Sequence, residues 1–353
     1  MMNYTVTIDA NSFKDWGALN YSSDENISRI LQAYLLSKEK QKSVESVYAV
    51  SNEWLPIFTS FMQRPIEILN SGSISNISIM LQNFFRGPVS TGLHGLHFEM
   101  VERYMSTSGH INRTDLQLYF DVMMHNTNLL SLLMPHFLPD RLERPCIGNP
   151  YGYTLNDKFI SACADYQYYY SEKIRFLLRA IKSPSILEIG GGFGGLAYFL
   201  SRDIPKSQYL GFDLPEITAL ASYYLMAAFP EKKFTLYGEL ELDEAMSSNV
   251  DFILMPNFEI NKVKNETIDL SFNSYSLAEM DHDAIFNYIK IICSATKKYF
   301  LHLNHCKYAK MSADQFPIDY DKFFLLSRSA TMWGKVSNRN PEIDEHEFIY
   351  ERI

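Results

Sequence analysis

No stretch of this sequence approaches about 18 consecutive apolar residues, so no transmembrane helix is expected. The opening residues, MMNYTVTIDANSF, lack a basic segment followed by an apolar one, so no secretory signal is expected there. Cysteine is scarce. Cys146, Cys163, Cys293 and Cys306 are scattered, and no two have C-x-x-C spacing. That argues against a zinc knuckle and for thiols kept in a reducing compartment. Basic charge is also short, with 32 Lys and Arg against 41 Asp and Glu and a formal net charge of -9. Non-specific nucleic-acid binding needs a basic face to displace phosphate counterions, so the balance argues against it. Neither an internal repeat nor a low-complexity tract occurs. The expectation is a cytoplasmic protein with no nucleic-acid partner and no integral membrane segment.

Aromatic residues are plentiful, with 23 Tyr and 24 Phe. They suit sizeable cores and aromatic-lined clefts. The length suits two domains, and the rhythm of the sequence changes near residue 183. Before it, apolar residues recur at helical spacing over 26–50, with Ser23 or Asp24 as cap. The same holds for 114–134, where Thr114 would cap and Pro135 would end the helix, and for 157–181. Segments 84–98 and 144–157 are rich in turn residues. After residue 183, short apolar runs (185–190, 207–213, 250–256, 267–276, 297–304) alternate with helical patterns (194–203, 214–229, 282–295). That alternation marks β-α-β units and a parallel sheet. Residues 233–238 read as an extra strand, and 320–329 with 345–353 as a closing antiparallel pair. The expected fold is α/β. A mainly helical N-terminal substrate or lid domain, 1–183, precedes a domain, 184–353, built on a mostly parallel seven-stranded sheet with an antiparallel last strand.

The stretch SILEIGGGFGGLAYFL, 185–200, carries the chemistry. It fits G-x-G-x-x-G at Gly190, Gly192 and Gly195, and equally G-x-G-x-G at Gly190, Gly192 and Gly194. Glycines between a strand and a helix let the backbone approach a ligand, and the helix N-terminus offers free N–H groups. Asp213 stands 21 positions after Gly192, where an acid accepts hydrogen bonds from ribose hydroxyls. Both NAD and S-adenosylmethionine (SAM) carry that ribose. Glu188, inside the strand, tips the choice. A buried carboxylate needs partners, and it suits a cationic ligand better than a pyrophosphate.

These residues carry a resemblance. ILEIGGGFGGLA together with YLGFDLPE, 185–216, resembles motif I and the acidic loop of the class I SAM-dependent methyltransferases. A narrower resemblance, to bacterial sugar O-methyltransferases, rests on LEIGGGFGGLA, FDLPE and NSYSLAEM, with NFFRG and GNPYGY in the N-terminal part. The resemblance implies a Rossmann-like methyltransferase domain with SAM as cofactor. Carried over, Gly190, Gly192 and Gly194 would shape the loop around the methionine part, with Glu188 ordering it. Asp213 would bind the ribose and Leu214 would pack on the adenine. Asn257 would lie near the adenine amino group, although the family more often has Asp there. Asn273 and Ser274 would face the transferring methyl. Tyr169 and Tyr153 would close over the cofactor.

Methyl transfer to a hydroxyl requires alignment and the removal of a proton. Glu279, His282 and His305 are the candidate bases, at the carboxyl ends of the fourth and fifth main strands. Asp281 and Asp283 stand nearby, but no metal is expected, because their spacing does not demand one. His302, within a strand pattern, reads as a core histidine. Arg86, Phe85, His94 and Tyr153 are the acceptor-side candidates, with His97 beside them. The acceptor implied is a hydroxyl of a sugar or glycan precursor in polysaccharide biosynthesis. A phenolic or polyketide hydroxyl, and a catalytically silent SAM-binding scaffold, are the alternatives. An NAD-dependent oxidoreductase is the remaining rival. A homo-oligomer is compatible with each.

Overall fold

The computed structural model describes residues 4–8, 10–17, 22–88, 113–307, 309–332 and 344–353. His94 and His97 lie outside the described residues. The short strand β1 (Val6–Thr7) precedes helix α1 (Asp24–Gln41), which Ser23 caps by accepting from the Asn26 N–H at 3.2 Å. This helix stops well short of residue 50. Val44 and Val47 leave it to pack on a core on the far side of the main sheet, and a 3-10 turn forms at Ser46–Tyr48. Short helices α2 (Leu55–Ser60), α3 (Gln63–Asn70) and α4 (Ile74–Gln82) follow, then α5 (Arg113–Leu133), which ends just before Pro135.

The helix expected over 157–181 divides. Strands β2 (Gly152–Leu155) and β3 (Lys158–Ser161) pair as a hairpin across Asn156 and Asp157, whose φ angles are 47° and 67°. Two consecutive positive φ values at a two-residue loop give a turn whose twist matches the strands. The local pairing of Phe159 and Ile160 thus overrides the helical spacing, and helix α6 begins only at Ala164, running to Leu177.

The main sheet comprises β4 (Ser185–Ile189), β5 (Gln208–Asp213), β6 (Phe234–Leu236), β7 (Phe252–Pro256), β8 (Ile268–Ser274), β9 (Thr296–His305), β10 (Phe323–Ala330) and β11 (Glu345–Arg352). Their order is β10-β11-β9-β8-β4-β5-β7-β6. Among the described residues that is eight strands, not seven. The extra one is β6, which continues the parallel edge beside β7. Among the described residues β11 is the one strand that runs opposite to the other seven, so its pairings with β10 and β9 are antiparallel. Helices α7 (Gly195–Asp203), α8 (Pro215–Ala228), α9 (Leu242–Ser247) and α10 (His282–Ala295) connect the strands.

Successive strand residues point to opposite faces, and the cores divide accordingly. Ile186, Tyr209, Phe252 and Leu254 join one core with α1, α6, α7 and α8. Leu187, Leu210, Ile253 and Met255 join the other with α9 and α10. The first core runs without a break from Ile27 across residue 183 to Met332. From β4 the chain goes to β5 on one side and later to β8 on the other. Ligands bind outside the carboxyl ends of strands at such a switch point. Among the described residues, no helix is long and apolar enough to cross a membrane.

Candidate functional site

A cavity of about 460 Å³ opens at that switch point. Its floor is the backbone of Gly190, Gly191 and Gly192, with Glu188, Asp213, Leu214, Asn257, Ser274 and Glu279 around it. Gly190 and Gly192 have φ of 71° and 58°, which side chains resist. A Cβ on Gly190 would also meet the Ser276 Oγ at 2.2 Å. The glycines are thus required by the turn as well as by access to the cavity.

Two carboxylates stand in the floor. Glu188 is buried and accepts a hydrogen bond from the Tyr209 hydroxyl at 2.5 Å. Burial pushes its pKa up to about 7, the Tyr209 bond opposes this, and the charge of Asp213 adds to it. Asp213 accepts from the N–H of Leu214 at 2.8 Å and of Gly192 at 3.1 Å. Burial pushes it up to about 7 as well, against those two hydrogen bonds. Neither carboxylate forms a salt bridge with a basic side chain among the described residues. The site therefore gathers at its base two carboxyl groups that a cationic ligand would hold ionised.

The residues expected from sequence divide into three groups. Glu188, Gly190, Gly192, Asp213, Leu214, Asn257, Ser274 and Glu279 line the cavity. Asn257 donates to the Tyr48 carbonyl at 3.0 Å, and Glu279 accepts from the Trp54 indole N–H at 2.5 Å. Burial raises the Glu279 pKa, and the indole bond works against that.

A second group supports the site without facing it. Gly194 caps α7, and its missing side chain makes room for Leu225. Asn273 is fully buried below the glycine loop. It donates to the Ile189 carbonyl at 2.9 Å and to Ser276 at 2.5 Å, so it cannot face a methyl group. His305 lies outside the lining. Its Nδ1 sits 2.6 Å from the Asp344 carboxylate, and its ring is 5.3 Å from that of Tyr275, which does line the cavity.

The third group lies elsewhere. His282 opens α10, and its ring nitrogen meets the Lys310 carbonyl at 2.9 Å on the exposed side. The acidic start of a helix, not a catalytic pair with Glu279, explains it. Asp281 does line the cavity, but Lys310 and Asn52 hold its carboxylate, and no cluster able to hold a metal ion occurs among the described residues. Arg86 spends its guanidinium on backbone carbonyls, those of Asn149 at 3.0 Å and Lys14 at 2.6 Å. Phe85 packs on Phe193 at 5.0 Å, under the glycine loop. Tyr153 is buried in β2. Tyr169 turns away, because α6 presents Cys163, Tyr166, Gln167 and Tyr170 to the cavity at i, i+3, i+4 and i+7. His302 is indeed a core histidine. It is stacked on Phe348, and burial holds its pKa down to about 3.

Sequence reasoning missed the wall opposite the glycines. Residues 46–54 cross the mouth, with Ser46, Val50 and Trp54 in the lining. Only the helix phase of YQYYY could have pointed to Tyr166 and Tyr170, and it needed the true start of α6. Tyr209 had one signal, parity: it lies two residues before Gly211, which pairs with Glu188.

No family model matches the chain, and no curated protein matches it. Solved structures do. The mitomycin 7-O-methyltransferase is 10% identical, with a TM-score of 0.35 over 54% of this chain and 56% of that one. The match thus spans little more than half of that protein's length. The magnesium protoporphyrin IX methyltransferase of Synechocystis PCC 6803, solved with bound SAM, is 11% identical, with a TM-score of 0.37 over 64% of this chain and 97% of that one. The N-methyltransferase NodS of Bradyrhizobium japonicum WM9, in complex with S-adenosylhomocysteine (SAH), is 12% identical, with a TM-score of 0.35 over 52% and 85%.

Proposed function

We propose that this chain is a SAM-dependent O-methyltransferase. One observation carries the reading. Two carboxylates without a basic partner among the described residues, the buried Glu188 and the half-buried Asp213, flank a positive-φ glycine turn in a cavity at the switch point of a parallel sheet. SAM fits that arrangement. Its ribose offers hydroxyls to Asp213, its ammonium and sulfonium offer the missing positive charge, and Gly190–Gly192 leave room for close approach. Bound there, SAM supplies an electrophilic methyl group. A pyrophosphate would bring negative charge against the two carboxylates, which disfavours NAD.

The protein's part is to hold, align and dry the reactants. Leu214 and Ile217 supply apolar surface for an adenine, and residues 46–54 cover it. Glu279 is the one base candidate of three whose side chain faces the cavity. We assign residues 1–183 to the lid and acceptor side and 184–353 to the SAM side. The acceptor we favour is a sugar hydroxyl of a glycan precursor, on the resemblance of FDLPE and NSYSLAEM. A phenolic acceptor is the second reading, favoured by the aromatic wall of Tyr166, Tyr170, Tyr275 and Trp54.

Calorimetry with SAM, SAH and NAD tests the cofactor; binding of NAD without SAM sinks the reading. Transfer of tritiated methyl from SAM to a panel of nucleotide sugars and phenols tests the acceptor. SAM binding with no turnover on either class favours the scaffold.

A further inference from the structure

The reaction must remove a proton, and the cavity wall holds a chain of hydroxyls that uses none of the three base candidates. Ser274 and Tyr166 line the cavity, with their hydroxyl oxygens 2.6 Å apart. Tyr275 also lines the cavity beside Tyr166, its ring 6.3 Å away and at 25° to that of Tyr166. The Tyr275 hydroxyl donates to the Glu345 carboxylate at 2.8 Å. Thr331 donates to the same oxygen at 3.1 Å, and Glu345 is half-buried, at the edge of solvent.

The backbone is bent to make this chain. Ser274 and Tyr275 are consecutive, yet both line the cavity. In a straight strand they would point to opposite faces. Tyr275 solves this with a φ of 63°, a region that bulky residues avoid. The turn is pinned by its N–H on the Leu303 carbonyl at 2.7 Å and by Ala278 N–H on its own carbonyl at 3.0 Å. Strain of this kind persists where surrounding structure over-determines it, and it gathers at functional sites.

We propose that Ser274, Tyr166, Tyr275 and Glu345 carry the acceptor's proton out of the cavity. The proposal rests on the methyl-transfer reading and names the proton's route within it. The acceptor's O–H bond breaks and its O–CH3 bond forms, the methyl coming from the sulfonium, whose C–S electron pair stays on sulfur. The acceptor proton passes to Ser274 as Ser274 gives its own to Tyr166, Tyr166 to Tyr275, and Tyr275 to Glu345. Glu345 enters as the carboxylate, leaves protonated and returns the proton to water. A hydroxyl chain of this kind moves charge without ionising any one tyrosine.

Two measurements test it. The first is NMR of the SAH-mixed protein carrying 13Cζ-tyrosine, with Tyr166→Phe and Tyr275→Phe giving the assignments. Glu345→Gln shifts both the Tyr275 and the Tyr166 resonances if the chain is continuous. An unmoved Tyr166 resonance overturns the proposal, whatever calorimetry says of SAM. The second is single-turnover transfer from tritiated SAM to the panel above, in mixtures of light and heavy water. The wild type is expected to give a bowed proton inventory. Tyr275→Phe, which keeps the ring, is expected to lose at least tenfold in the chemical step with unchanged SAH affinity and a straightened inventory. A wild-type rate in Tyr275→Phe overturns the relay and leaves the methyltransferase reading standing. Failure of the wild type to bind SAM sinks that reading instead.

Discussion

The indole N–H of Trp54 donates to a Glu279 carboxylate oxygen at 2.5 Å, across 225 positions of sequence. It ties the segment crossing the cavity mouth to the loop after β8. Two other bonds reinforce the tie: Asn257 to the Tyr48 carbonyl at 3.0 Å, and Asn287 to the Tyr48 hydroxyl at 3.0 Å. A fourth, Asn52 to Asp281 at 3.1 Å, lies on the surface.

Magnitudes rank these bonds. An exposed polar contact is worth at most about 1 kcal/mol. Stranding a buried carboxylate costs about 1–3 kcal/mol or more. Trp54→Phe is therefore expected to weaken SAH binding about tenfold, ~1.4 kcal/mol, because the closed strap loses its anchor. Asn52→Ala should change affinity less than threefold, under about 0.7 kcal/mol. Calorimetry reads both; equal effects would mean that the strap is not held by Glu279.

Ionisation of the cavity floor makes a second prediction. Glu188 and Asp213, ordinarily near 4.5 and 3.8, are both held up to about 7 by burial. Between those ordinary values and about 7, the folded state binds protons that the unfolded chain has released. Stability of the ligand-free protein therefore falls as pH rises through that window. A cationic ligand favours the ionised pair, so its binding should release protons near neutrality and tighten as pH rises. Melting curves from about pH 5 to 8 should fall more steeply in the wild type than in Glu188→Gln. SAM binding enthalpy should depend on the buffer's ionisation enthalpy. A buffer-independent enthalpy would show that the pair does not titrate with the ligand.

The glycine turn gives the sharpest local test. Gly190 combines a φ of 71° with a would-be Cβ only 2.2 Å from Ser276 Oγ. Gly190→Ala must move Ser276, and with it the Asn273 bonds to Ser276 and to the Ile189 carbonyl. SAH affinity should drop by at least tenfold, ~1.4 kcal/mol. Ser276→Ala removes the Oγ but not the Cβ, which would lie 2.5 Å from the new methyl, so it should not restore binding. Full rescue by Ser276→Ala would place the clash on the hydroxyl alone.

What could be read from sequence follows from what was local. The glycine run, Glu188 and Asp213 were legible because strand, turn and helix are contiguous and their spacing is fixed by the pleat and the turn. Leu214 and Ser274 came with the same strand ends. The wall made by residues 46–54 was not legible, because it reaches Glu279 and Asn257 only through tertiary packing. Tyr169 was expected where Tyr166 and Tyr170 stand, since the start of α6 depends on the hairpin turn at Asn156–Asp157. Asn273 carries the right residue type for a site but spends all its bonds beneath it.

Two arginines separate a site residue from a scaffold residue. Arg86, the expected acceptor clamp, holds the Phe13, Lys14 and Asn149 carbonyls, away from the cavity lining. Arg144, which the sequence did not mark, is buried below the lining. It donates to Ser161 at 2.9 Å, to the Ala162 carbonyl at 2.7 Å and to the side chain of Gln167, which faces the cavity. Its guanidinium also lies 5.2 Å from the ring of Phe193 in the glycine loop. A lysine cannot span this fork of acceptors. Arg144→Lys is expected to cost about 2–4 kcal/mol of stability, as for other buried polar networks. It should also weaken SAH binding, because Gln167 and Phe193 lose their support. Arg86→Lys should lower stability and leave SAH and acceptor affinity alone. Denaturant titration with calorimetry on both variants decides it. Lost acceptor affinity in Arg86→Lys, without lost stability, would return Arg86 to the binding site and contradict its place in this fold.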